Sequence, residues 1–326
     1  KKGYGSELTY IANDNMNKGT AAKENAGLRT SVTGNSKLQA TNALTIEATA
    51  TNNVDVNVVQ TQASLGVIAV ATNRVNVVEH QSLLVENASL AGNTISINSS
   101  TSSVDSDNNS TLKASICTVP VALTGYMDTT GFIKHSGSNT ITVSGSELEA
   151  KQATSEEALS LLRISAVNNT SIDNSGINVM VEGIGGGRLI LEAEDASTAT
   201  INLGDAINNN KFKAANILVN ALNNPHVKNE ATAPQIGTLV GSGTIITSRA
   251  SGGANLNVED RNTFDAEKVE LLAVNGSERN SDYTTNAIAH AVSVTVGDIT
   301  VNKVRTFNEM NTSLNVGAVS FINGDS

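Results

Sequence analysis

Leu44-Thr45-Ile46-Glu47-Ala48 is the phrase that decides the fold: apolar, polar, apolar, polar, then a small residue. Side chains that alternate with period two fall on opposite faces of a strand, so Leu44, Ile46 and Ala48 share one face. The phrase recurs in degenerate form, ending at Ser99, Ala166, Ala193, Ala221, Thr247 and Ala273. From Ala166 onward the ends are 27, 28, 26 and 26 residues apart, and Ala48 and Ser99 are 51 apart, close to two such steps. Ile299 and Val301 fall one step beyond Ala273. The interval of 67 from Ser99 to Ala166 marks a register slip or an insertion.

Other short alternating runs support the reading, among them Val54-Asp55-Val56-Asn57-Val58, Ile141-Thr142-Val143 and Val292-Ser293-Val294-Thr295-Val296. Turn formers follow each of them. The prediction is an all-β, single-stranded parallel β-helix (solenoid) with about 26 residues per coil, right-handed, each coil made of short strands paired with the next. Twelve or so coils at ~4.8 Å would make a rod roughly 55–60 Å long.

Composition agrees. Trp is absent, and Phe and Tyr together number nine in 326 residues, so large aromatics cannot fill a broad core. Asn occurs 41 times, a residue that tolerates left-handed turns and stacks in ladders. Pro occurs three times, so few positions forbid a ladder hydrogen bond. The formal charge of −10 argues against a nucleic-acid partner. No run approaches the ~20 apolar residues of a membrane helix, so membrane insertion is not expected. The export signal is expected to lie outside this chain.

Residues 1–37 lack strong alternation and read as an irregular or edge segment, with a local charge balance of +3 over the first forty residues. Residues 38–326 read as one continuous solenoid with an irregular stretch near 100–166. Thr154-Ser155-Glu156-Glu157 carries a capping-box pattern, and a short helix fits there.

Each candidate for chemistry has a plainer reading. Gly183-Ile184-Gly185-Gly186-Gly187-Arg188 lacks the Gly-Lys-Ser/Thr ending of a phosphate loop and reads as a tight turn between strands. Asp105-Ser106-Asp107-Asn108-Asn109-Ser110 begins like a calcium loop but has Ser110 and Ile116 where Gly and Glu are required, so it reads as a solvated turn. Glu192 and Glu194 share a face with Arg188 while Asp195 points away, which suggests a structural ion pair. His80, His135, His226 and His290 have no ligand spacing and read as surface or turn residues. Cys117 reads as a small buried hydrophobe. No residue is assigned a catalytic, cofactor-binding or metal-ligating role, no cofactor is expected, and the chain reads as a non-enzyme.

Leu38-Gln39-Ala40-Thr41-Asn42-Ala43-Leu44-Thr45-Ile46-Glu47-Ala48, the line Leu65-Gly66-Val67-Ile68-Ala69-Val70-Ala71-Thr72-Asn73-Arg74-Val75, and His290-Ala291-Val292-Ser293-Val294-Thr295-Val296 resemble the repeats of a known group. These are the large two-partner-secretion exoproteins of the filamentous-haemagglutinin and leukotoxin-like kind. The resemblance implies export through an outer-membrane secretion partner and display at the bacterial cell surface as a β-helical fibre. The expected function is a structural or adhesive segment of a secreted exoprotein, a stiff rod presenting loops to a host-cell or other cell-surface receptor or glycan. Two other readings stand beside it: an extracellular filament subunit that joins copies end to end, and a polysaccharide lyase or hydrolase on a β-helix. Residues 100–140 are the expected place for a binding loop.

Overall fold

The computed structural model describes residues 2–12, 28–107, 109–151, 160–205, 207–276 and 284–322. The chain is all-β, and no helix occurs among these residues. The helix expected at 154–159 lies outside them.

The chain runs in successive passes, each lying parallel to the one before. The first described strands are β1 (Lys2–Ala12) and β2 (Leu28–Val32). The next pass holds β3 (Lys37–Gln39), β4 (Ala43–Thr51) and β5 (Val54–Glu86). It is followed by β6 (Ser89–Gly92), β7 (Thr94–Ser102) and β8 (Leu112–Ser144). The fourth contains β9 (Glu147–Ala150), β10 (Leu161–Asn178), β11 (Met180–Asp195) and β12 (Thr198–Leu203). The fifth contains β13 (Lys211–Lys213), β14 (Asn216–Ala250) and β15 (Gly253–Val258). Then come β16 (Thr263–Asp265), β17 (Lys268–Asn275), β18 (Thr285–Asn308) and β19 (Asn311–Val316), and lastly β20 (Ser320–Ile322). β10 and β11 together lie between β8 and β14, which closes a ring of four parallel pairings.

The register corrects the expected 26-residue coil. Ala48 pairs with Ser99, Ser99 with Ala166, Ala166 with Ala221 and Ala221 with Ala273, so partners are 51 to 67 residues apart. Two 26-residue steps carry the chain to its partner, because Ala193 stands on a different ladder, opposite Ser248. Both walls of a pass alternate with period two and carry small residues, so a half-pass mimics a whole repeat. Six passes at ~4.8 Å stack to about 25–30 Å rather than the 55–60 Å expected from twelve coils.

The 67-residue interval holds two insertions: ten residues separate Ala150 from Leu161, whereas their partners Gly92 and Thr94 are separated by one. Nine residues separate Ser102 from Leu112, whereas their partners Asn169 and Ile172 are separated by two. Ser103 and Thr111 still bond to neighbouring passes, and the chain leaves the sheet between them, where an antiparallel bridge joins Val104 and Ser110. Within the stretch expected to be irregular, Cys117 and Pro120 lie inside β8, one continuous strand. Part of the edge segment 1–37 is strand, with β1 and β2 both paired in parallel with β5.

β5, β8 and β14 are 33 to 35 residues long and would extend about 110 Å if straight. They double back instead. Asn73 Nδ2 reaches across the interior to the carbonyls of Val56 (3.2 Å) and Ser115 (2.9 Å). Asn174 does the same to Glu192 at 3.1 Å, and Asn229 to Thr247 at 3.0 Å. Each amide joins two walls 17 or 18 residues apart in one chain, which forces a bend between them. The doubled-back part forms a narrow arm with a thin core of Val, Ile, Leu, Met and Ala. The rest of each pass encloses a broader core lined by both sheets.

On the far side of the broad core the short strands stack one side chain per pass: Leu38, Leu90, Leu148, Phe212, Phe264 and Phe321. Phe212 stacks on Phe264 at 5.1 Å between ring centres, and Phe264 on Phe321 at 5.5 Å. Left-handed residues such as Asn35, Asn87 and Gly145 turn the chain into these short strands.

Candidate functional site

The bends of the arm create the most distinctive surface. They fall near residues 60–68, 118–126, 180–187, 235–241 and 293–299, which pair in register. Gly183–Gly187 is one of these bends and not a turn between strands, because β11 runs through it unbroken. A β-carbon on Gly183 would meet the Leu123 carbonyl at 2.8 Å, and one on Gly186 the Gly241 carbonyl at 2.5 Å. Glycine lets neighbouring passes close up where the strand curves. Outside the bend, a groove of about 610 Å³ is lined by Gly66, Ile68, Thr124, Gly125, Tyr126 and Ile184, among others.

Beneath this groove lies Glu182, 2% exposed, with both carboxylate oxygens outside hydrogen-bond geometry to any partner. Burial pushes its carboxyl above the usual range, opposed in part by the nearby Gly186 N–H. A raised folded-state pKa contributes stability below the ordinary Glu range, and that contribution is lost as pH rises through the raised value. Glu182→Gln keeps the shape and removes the buried charge. It is expected to be more stable than the wild type at pH 8 by about 1–3 kcal/mol, with the gap closing near pH 4. Urea denaturation at both pH values checks this, and a Gln variant weaker than wild type at pH 8 would contradict it.

At the other end of the arm, His135 corrects the expectation of a surface histidine. It is 2% exposed, with Nδ1 2.6 Å from Asp195 Oδ1 and Nε2 3.6 Å from Glu79 Oε2. Ser197 Oγ donates to the other Asp195 oxygen at 2.8 Å. Burial alone would lower the imidazole pKa. The hydrogen bond to Asp195 and the attraction of both carboxylates outweigh it and lift the value to about 9. Both ring nitrogens face buried carboxylates, Nδ1 within hydrogen-bond distance and Nε2 beyond it, an arrangement that favours the protonated imidazole.

Asp195 does point away from Glu192 and Glu194, into the core. The ion pairs run between passes: Arg188 to Asp128 at 2.8 Å and Glu194 to Lys134 at 3.1 Å. Cys117 is half-buried on the outer face rather than in the core, because Ile116 and Thr118 take the inward positions. His80 meets Ser138 at 2.9 Å, His226 is half-buried, and His290 is exposed, 3.6 Å from Glu230. Asp105 closes its own loop, accepting from the N–H groups of Asp107 and Asn109 at 2.9 and 2.8 Å. The Asn109 side-chain amide, with those two backbone bonds, holds its carboxyl below the usual range.

Sequence reasoning missed a charge ladder on the outer face. Asp55, Lys113, Asp173 and Lys228 are partners in successive passes, so charge alternates along the stack. Exposed pairs of this kind contribute about 0–1 kcal/mol each, but they oppose a slip of register. The signal was present as single charges each preceded by an apolar residue, Val54, Leu112, Ile172 and Val227, but the 55- to 60-residue spacing that aligns them was not legible.

Among the described residues, no group of three His, Cys, Asp or Glu is placed to hold a metal ion. The class defined so far is an all-β protein of parallel ladders with polar chemistry turned inward. Compared with family models, curated proteins and solved structures, the chain matches none.

Proposed function

We propose that this chain is a stretch of right-handed, single-stranded parallel β-solenoid, and that it serves as a structural and adhesive segment of a long exported bacterial surface protein. The observation that carries the reading is the stacking of like on like at a constant parallel register, pass after pass. Asn168, Asn223 and Asn275 form one such column, and the Leu and Phe ladder another. Such a column adds length without thickening the core, which suits a stalk. The residues that could do chemistry are engaged in holding passes together: His135 and Asp195 inside, Arg188 and Lys134 between neighbours. That favours a mechanical role over the hydrolase reading. Adhesion falls to loops that leave the ladder, and residues 104–110 are the best placed.

Loop and ladder separate cleanly, so the loop can be tested alone. Replacing residues 105–109 by an Asn-Gly turn should leave the β spectrum and melting temperature unchanged, because the next pass spans the same gap with two residues. Beads coated with the wild-type chain are expected to adhere to cells or to a glycan panel, and beads with the shortened loop are not. Equal adhesion by both would remove the loop from the proposal. Release of soluble sugar from a polysaccharide panel, with or without calcium, would overturn the non-catalytic reading.

A further inference from the structure

We propose that the ridge formed by the arm's bends is a face through which two copies of this chain associate side by side. The inference needs the stacked passes but not export or adhesion.

The ridge carries large apolar side chains in every pass, with Leu65 77%, Leu123 63%, Ile184 58%, Ile236 50%, Leu239 60% and Val296 89% exposed. Leu123, Ile184, Ile236 and Leu239 belong to strands that are paired on both sides, so they are exposed sideways and not at an end of the stack. Together the ridge side chains present on the order of 1,000 Å² of apolar surface, above the few hundred Å² found on a typical monomer. A stable interface needs roughly 800 Å² from each partner.

The chemistry of the ridge selects the occupant. The register-matched windows 58–69, 116–127, 176–187 and 231–242 contain no lysine or arginine, and their one acidic residue is the buried Glu182. The fifth window, 289–300, adds His290 and Asp298. A charged partner has almost nothing to pair with. A lipid surface is met by basic residues and by a belt of Trp and Tyr, and Tyr126 is the sole aromatic residue in all five windows. A second copy fits what remains. It presents the same uncharged ridge at the same inter-pass spacing, so a twofold axis lays each ridge against the other in a self-complementary interface. The shape is complementary as well. Leu65, Leu123 and Leu239 project, while Gly66, Thr124 and Gly125 line the groove that would receive such a side chain.

Sedimentation of the wild-type chain from about 1 to 100 µM is expected to show a monomer–dimer equilibrium that changes little between low and high salt. The triple variant Leu123→Lys, Ile184→Lys, Leu239→Lys alters outward side chains only. It should keep its β spectrum and remain monomeric over the whole range. If it loses that spectrum, Leu239→Ser alone serves, with an expected weakening of about tenfold. A wild type that stays monomeric throughout would overturn the proposal. So would a folded variant that dimerises as well as the wild type, since strand edges would then be the joint. Flotation with phosphatidylcholine vesicles by a chain that is monomeric in solution would overturn it in favour of lipid. A monomer that still adheres through its loop would overturn the dimer while leaving the adhesive role standing.

Discussion

Replacing His135 with Leu is expected to destabilise the protein by about 3–5 kcal/mol, since it leaves the Glu79 and Asp195 carboxyl groups buried beside each other without a cation. The wild type should also lose stability where the imidazole deprotonates, a step that the variant lacks. The folded-state pKa of His135 is raised from 6.5 to about 9. Its contribution is therefore fully present below about pH 6.5 and lost as pH rises through about 9, a fall of roughly 3 kcal/mol. Denaturant midpoints measured from pH 6 to 9.5 check both points. A wild type as stable at pH 9.5 as at pH 6 would mean that the imidazole is neutral in the folded state. His135→Gln cannot restore the charge and should not restore the slope.

The second large effect is Phe212→Ala, with an expected loss of about 3–5 kcal/mol. Phe212 is 1% exposed and lies between Leu148 and Phe264. Removing the ring opens a cavity that the two flanking passes, fixed by their ladders, cannot close. Phe212→Leu should cost only about 1 kcal/mol, because earlier passes carry Leu90 and Leu148 at this same position. Phe321→Ala should also cost less than Phe212→Ala, since that ring is 59% exposed. Thermal or urea unfolding of the three variants gives the order, and an equal loss from Phe321 and Phe212 would argue against the ladder as a source of stability.

Much of the architecture was legible in the residues. The alternation around Leu44-Thr45-Ile46 and Ile141-Thr142-Val143 identified strands: β4 buries Ile46 and half-buries Leu44, and β8 buries Ile141 and Val143. The parity argument for Glu192, Glu194 and Asp195 also carried over, because it depends only on the period of a strand. The bends were harder to read. Gly183–Gly187 looks like a loop in one dimension. Its true constraint is the Leu123 and Gly241 carbonyls, some 60 residues distant on either side. The apolar ridge was hidden for a related reason: Leu123, Ile184 and Leu239 look like core residues until the bend turns them outward.

The phrase ending at Ala48 shows where the division falls. Sequence by itself determined that such phrases are strands whose alternate side chains share a face; Ala48, Ser99, Ala166, Ala193 and Ala221 are buried at the phrase ends, whereas Thr247 faces outward and Ser248 inward. Only the tertiary structure decided that two phrases make one pass, with Ala166 stacked on Ala221 and Ala193 on another wall. It alone decided which histidine is enclosed. The physical reason is that a half-pass obeys the same local rules as a whole pass. Which half lies beside which is settled by long-range contacts, through the Asn amides that span the interior and the carboxylates that meet across it.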